Sequence, residues 1–224
     1  MKIIIDTPKF LQAEFFMRDE EVTKSELPLV APKQVHENRI LIVDELTVNK
    51  YALPECPEAD GIFLRTRNAE ASLRFADCVP VLLWNENSAM ILHSGYKGTI
   101  YQIVPKGVLL YYDFGEKIRN LHAWIGPCIG RANYARNMYN DKWTSRGLSS
   151  FSYKNMDIDK ANEKIYFDLA GEIKLRLYKL GLEEENITLS GIDTFEDPNC
   201  YSYRRGDKTE RMTLKIRLLP SSLF

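Results

Sequence analysis

"RFADCVPVLLWNENSAMILHSGYKG", residues 74–98, sets two apolar runs, PVLLW and AMIL, on either side of the polar tetrapeptide Asn85–Ser88. Runs rich in Val, Leu and Ile, joined by so short a polar link, read as a β-hairpin over residues 79–94. The hairpin puts Cys78 at its entry and His93 near its exit. Antiparallel pairing brings residues remote in sequence within side-chain reach, so this cysteine and histidine can meet. Pro80 follows the cysteine, and Gly95 and Gly98 follow the histidine. Glycine at those points permits close backbone approach to a ligand or a positive φ.

Outward from the hairpin, short runs of the same kind fill the first half of the chain: KIII, RILIVDEL, GIFLRT and ASLRFAD. NITLSGIDT and RMTLKIRLL add late strands, and HAWIGPCIG adds a strand ending in a glycine-flanked turn. A helix follows Gly98 in GTIYQIVPKGVLLYYDFG; Pro105 either kinks it or marks where the helix proper begins, a position where the missing N–H does no harm. The clearest helix is FDLAGEIKLRLYKLGL, with Leu169, Ile173, Leu177 and Leu180 on one face, Asp168 as N-cap and Gly181 as stop. Residues 136–165 read as a polar, irregular excursion from the core. Strands and helices without regular βαβ alternation predict an α+β fold of layered mixed sheets flanked by helices, one compact domain over residues 1–224.

The composition excludes several classes. With 30 basic and 31 acidic residues and a net charge of −1, the chain lacks the cationic surplus of a general nucleic-acid binder. No apolar run approaches the roughly 18–20 residues of a membrane helix. The N-terminal stretch MKIIIDTPKFLQAEFF lacks the apolar core and cleavage site of a signal peptide and reads as a cytoplasmic first strand. Cys56, Cys78, Cys128 and Cys200 show no CxxC spacing and are expected to be thiols.

Histidine is scarce, at His36, His93 and His122, so any metal site draws on few residues. His36 in KQVHEN, Cys78 in ADCVP, His93 in LHSGYKG and Cys128 in IGPCIG are the candidates. Two histidines and a thiolate form a zinc set with a fourth position open, as in catalytic sites. The same residues are compatible with a small buried cysteine and two loop histidines. Lys97 adds a charge suited to an anionic substrate. In CYSYRRGDKTER, residues 200–211, Arg204 and Arg205 can grip phosphate and a tyrosine can stack on a base; an exposed basic loop is the alternative.

Taken in order, QVHEN, ADCVPVLL, HSGYKG, IGPCIG and YSYRR resemble the motifs of the family labelled multi-copper polyphenol oxidoreductase or laccase domain. That family is also called peptidoglycan editing factor and includes purine nucleoside phosphorylase members. The resemblance spans about residues 33–219. It implies a compact α/β arrangement likened to deamidating toxins that use Cys and His, and a zinc site on His36, Cys78 and His93. It also implies phosphorolysis of adenosine, inosine or methylthioadenosine, with some adenosine deamination. Cys78, His93 and Asp77 would be catalytic, and Gln34, Lys97, Arg204 and Arg205 would bind nucleoside and phosphate, in a monomer or homodimer. The copper of the family label does not fit this composition: one blue-copper site uses two His and a Cys, leaving a single histidine for all the others.

Several positions depart from the family pattern. Ser94, Tyr96 and Lys97 replace its usual Ala, Trp and Arg, Glu37 and Glu210 stand where glycines are expected, and its early Arg-Gly-Gly loop is missing. Two other readings therefore stand beside the zinc enzyme. One is a metal-free Cys–His hydrolase of amide or acyl bonds in cell-wall precursors. The other is a non-catalytic ligand-binding member.

Overall fold

Among the described residues three sheets carry the chain, and the hairpin lies at the centre of the largest. A computed structural model describes residues 1–54, 56–139 and 141–220, so residues 221–224 of the expected domain lie outside the description. Strands and helices are numbered along the chain. The six-stranded sheet runs β13 (Ile187–Leu189), β9 (His122–Ile125), β7 (Val79–Trp84), β8 (Ala89–Ser94), β5 (Gly61–Leu64), β4 (Ile40–Val43). The five-stranded sheet runs β1 (Lys2–Ile4), β2 (Leu11–Phe16), β14 (Met212–Leu218), β6 (Glu70–Phe75), β3 (Leu29–Val30). A small third sheet runs β10 (Ala135–Asn137), β12 (Lys164–Phe167), β11 (Met156–Asp159). Five α-helices, α1 (Val48–Tyr51), α2 (Tyr96–Ile100), α3 (Ile103–Asp113), α4 (Lys142–Ser150) and α5 (Leu169–Lys179), and four single-turn 3-10 helices complete the described elements.

The apolar runs that announced the hairpin follow from its place in the middle layer. Every residue of β7 and β8 is buried. A strand covered on both faces needs apolar side chains at every position, and not at alternate ones only. Leu82, Ala89 and Ile91 point toward the five-stranded sheet, where they pack with Phe15, Phe75 and Leu214. Val81, Leu83, Met90 and Leu92 point the other way, into a second core with Val108 and Tyr111 of α3 and Ile173 and Leu177 of α5. The turn is built as its sequence suggests, since Asn85 Oδ1 accepts from the backbone N–H of Asn87 at 3.0 Å and of Ser88 at 2.9 Å.

Asp168 caps α5 by accepting from Gly171 N at 2.7 Å, and Gly181 leaves the helix at φ +100°, where a side chain would be strained. The alternative left open at Pro105 is resolved by a break at Gln102, which adopts φ 60° between α2 and α3. Pro105 then sits in the first turn of α3, where no intrahelical N–H is required.

Residues 136–165 correct the expectation of irregularity. They supply most of the three-stranded sheet and α4, and return Phe151, Met156 and Ile165 to the second core. Their strands are only three or four residues long, too short for alternation to stand out from the polar background. The result is a mixed α+β fold in a single compact domain.

Leu82, wholly buried between the two larger sheets, measures how much this layering contributes. Leu82→Ala is expected to lower unfolding free energy by about 2–5 kcal/mol, read from the denaturant midpoint at unchanged slope.

Candidate active site

The register of the hairpin fixes the first pair. Val79 lies opposite Ser94 and Pro80 opposite His93, so Cys78 falls opposite Gly95 and diagonal to His93 on one face. That face looks toward the five-stranded sheet, and Phe75 of β6 packs on His93 with ring centroids 5.6 Å apart. His36 arrives from the loop before β4, its ring edge-on to His93 at 4.8 Å. The three donor atoms of His36, Cys78 and His93 lie within 4.8 Å of one another. His36 is exposed, Cys78 half-buried and His93 buried, so the cluster reaches solvent through His36.

Gly95 is what lets the cysteine in. A Cβ at this position would stand 2.5 Å from Cys78 Sγ, closer than non-bonded atoms approach. Its backbone is ordinary extended chain, so the requirement for glycine is space and not conformation.

Asp60, just before β5, ties the cluster together. It is fully buried, and its carboxylate accepts from His93 Nδ1 at 2.8 Å and from the backbone N–H of Val35, His36 and Glu37 at 3.2, 2.9 and 2.8 Å. Holding Nδ1–H leaves Nε2 of His93 as the nitrogen free to act as a ligand. The three backbone bonds hold His36 at φ 62°, a left-handed conformation that costs about 1–3 kcal/mol unless its surroundings impose it. Burial raises the Asp60 pKa, but His93 and the Glu37 and His36 amides outweigh it and keep the carboxyl below its ordinary value. Nothing in EADGIFL marks this aspartate, because its partners come from two other segments.

Charge concentrates between Cys78 and His93. Burial opposes ionisation of Cys78, but the positive charge of His93 and hydrogen bonds from both histidines overcome it and bring the thiol down to about 6. Burial likewise opposes protonation of His93, which the Cys78 charge and Asp60 raise to about 9. Without a metal, the pair is a thiolate beside an imidazolium.

The cluster lines a cavity of about 730 Å³ with Gln34, Asp77, Lys97 and Arg204. These expected residues differ in how far their side chains are already engaged. Gln34 donates to Arg74 O and accepts from Arg74 N, each at 2.8 Å, extending the β3–β6 ladder with a side chain. Asp77, at φ 78°, accepts from Thr194 Oγ1 and from the backbone N–H of Arg204, each at 2.7 Å. Lys97 lies 4.7 Å over the Trp143 ring, and Arg204 donates to Ala135 O at 3.0 Å.

Arg205, expected beside substrate, does not line this cavity. Its guanidinium turns away to the carbonyls of Thr194, Phe195, Asp197 and Cys200 and to Asp207, binding its own loop together. Tyr201 is likewise engaged elsewhere, donating to Asp19 at 2.8 Å.

The supposed excursion reaches the wall through its first residue, Arg136, with Tyr134 just ahead of it. Tyr134 and Arg136 line the cavity, Arg136 paired with Asp141 and lying 4.4 Å over the Tyr96 ring. Burial, opposed by Arg136, pushes the Tyr134 phenol up to about 12, so it remains a hydrogen-bond donor near neutral pH.

Residues 11–218 match the family described as multi-copper polyphenol oxidoreductase laccase. The chain belongs to this family. A protein of Rickettsia prowazekii named purine nucleoside phosphorylase is 32% identical over 201 residues, which cover 87% of this chain and 78% of the relative. A second, from Rickettsia conorii and bearing the same activity in its name, is 33% identical over 177 residues, covering 77% and 68%. In fold, the chain is similar to the crystal structure of the Bacillus licheniformis hypothetical protein YfiH, with a TM-score of 0.81 at 20% identity over 97% of this chain and 96% of that one. The two chains therefore share one layered fold.

The cysteines order themselves by environment. Cys78 opens on the cavity with its thiol drawn down, whereas burial pushes the Cys128 thiol far up and the Cys200 thiol to about 12. In metal-free protein at pH 7, iodoacetamide should label Cys78 well before Cys128 and Cys200, as read by peptide mass mapping. Equal labelling of the three would contradict this arrangement.

Proposed function

We propose that this protein is a zinc-dependent purine nucleoside phosphorylase acting on adenosine, inosine or methylthioadenosine, with adenosine deamination as a second activity. The observation that carries it is the convergence of His36, Cys78 and His93 in a cavity walled by cations and aromatic rings. The donor set suits zinc: a thiolate, two imidazole nitrogens, and a carboxylate behind one of them. Zinc bound there would supply Lewis-acid polarisation of a substrate group or of water.

The remaining work falls to the chain's own residues. Lys97 and Arg204 balance the charge of inorganic phosphate as its oxygen approaches the sugar carbon. Asp77 acts as a positioning residue, since its bond to the Arg204 backbone sets where that guanidinium begins. Tyr96 and Tyr134 bound the purine side and exclude water, with Tyr134 available to donate to a purine acceptor. Asp60 holds His93 in one tautomer and His36 in place.

The thiolate–imidazolium pair of the metal-free protein supports a second reading, a hydrolase with Cys78 as nucleophile and His93 as acid. The two are separated by metal content and products. Purified protein should carry about one zinc ion per chain, and free purine should form only when phosphate is present. Ammonia release from adenosine reports the deaminase activity. Cys78→Ala should abolish zinc binding and lower kcat/KM by more than about 100-fold, whereas Asp60→Asn should weaken zinc by about 10- to 100-fold. Full nucleoside cleavage by chelated protein would sink the zinc reading, and an acyl-enzyme on Cys78 would favour the hydrolase.

A further inference from the structure

The cavity holds more positive charge than one phosphate needs. Lys33 and Arg136 on its wall are paired with Glu58 and Asp141. Arg74, Lys97, Arg204 and Arg211 line it too, and among the described residues none of these four is paired with a carboxylate. The cavity's own acid, Asp77, is already engaged by Thr194 and the Arg204 backbone. In a chain with a net charge of −1, this is a local segregation of charge.

The four cations divide into two sets. Lys97 and Arg204 belong to α2 and the Tyr203–Arg204 loop, and reach toward Trp143 and Ala135. Arg74 comes from β6 of the five-stranded sheet and Arg211 from the residue just before β14. Arg74 lies opposite Thr213 in the β6–β14 ladder and donates to Thr209 O at 3.5 Å, so its side chain reaches the segment that leads into β14 and carries Arg211. Phe75 points into the core, which turns Arg74 outward to the cavity rim. Arg211 is steadied by the carbonyls of Asp207 and Glu210 and lies 5.8 Å over Tyr203. A phosphomonoester carries a charge of about −1.5 to −2 at neutral pH, which two such guanidinium groups match. A purine nucleoside is uncharged and offers them no anion to balance.

We propose that Arg74 and Arg211 form a second anion subsite that receives a phosphate belonging to the substrate itself, making a purine nucleoside 5′-monophosphate a better substrate than the nucleoside. The inference rests on the phosphorolysis reading for its chemistry and on the sheet register for its geometry. In the reaction an oxygen of inorganic phosphate bonds to C1′ as the C1′–N9 bond breaks. The electron pair leaves on the purine, which takes a proton from solvent, and the other product is a pentose 1,5-bisphosphate.

The test compares adenosine and adenosine 5′-monophosphate with the zinc-loaded protein, reading the ratio of their kcat/KM values with phosphate held constant. The nucleotide should be favoured by about tenfold or more, and the Arg74→Ala/Arg211→Ala double variant should bring the ratio to within about twofold of one. The Lys/Lys double variant should retain part of the preference, because it keeps charge without the bidentate fork. A ratio near one in the unaltered protein overturns the proposal. So does a double variant whose loss falls on the KM for inorganic phosphate while the ratio persists. If neither compound is cleaved, the phosphorolysis reading fails, and titration calorimetry with the same two compounds decides the subsite. Tighter binding of the nucleotide by about tenfold, lost in the double variant, supports it; equal affinities overturn it.

Discussion

The buried carboxylate of Asp60 is the constraint on which the candidate site depends. One of its oxygens holds both His93 Nδ1 and the His36 amide, and the other takes the amides of Val35 and Glu37. It thus joins a strand in the middle sheet to a loop that would otherwise enter the site without fixed geometry. A charged group with no exposure is stable only if its hydrogen-bonding capacity is met, and four donors meet it. Removing any one donor exposes the cost of burying the charge, so the arrangement resists partial assembly. The left-handed turn at His36 is held within this same network.

The sheets decide where that network can sit. A hairpin buried on both faces has no room for polar side chains along its length, and the reactive pair falls at its open end. There β9 has stopped pairing with β7, at Val81 opposite Ile125, and Gly95 leaves space for sulfur. The five-stranded sheet closes one side with Phe75 and brings Arg74 and Arg211 to the rim. The three-stranded sheet and α4 close another with Tyr134, Arg136 and Trp143. Among the described residues, the cluster of His36, Cys78 and His93 is thereby bordered by elements of all three sheets or the segments leading into them.

This division explains what the amino-acid sequence disclosed. The hairpin was legible because burial on two faces writes unbroken apolar runs, and the three donors because each stands in a motif at a chain break. Asp60 was not, since a single aspartate before a strand has no periodicity and all its partners lie elsewhere in the chain. Arg204 and Arg205 are adjacent in a polar loop, and only the fold shows that Asp207 and four carbonyls claim the second. Residues 136–165 hid their strands because Ile165 and Phe167 alone alternate clearly within β12. Arg74 is invisible for a related reason: Arg211, with which it lines the cavity, is 137 positions away along the chain and is brought near only through the β6–β14 register.

The electrostatics of the metal-free cluster bear on both functional readings. Burial works against charge on Cys78 and on His93, yet each is pulled toward its charged form by the other, with Asp60 adding to the pull on His93. The site therefore favours a positive charge placed between a sulfur anion and a carboxylate. A proton on His93 supplies that charge in the metal-free protein. His36, Cys78 and His93 would hold a divalent cation that would supply this positive charge in place of the proton, with His93 Nδ1–H kept on Asp60. The nucleophilic and metal-binding readings thus draw on one field, and they compete because the sulfur lone pair that would attack a substrate is the one that would be given to the metal.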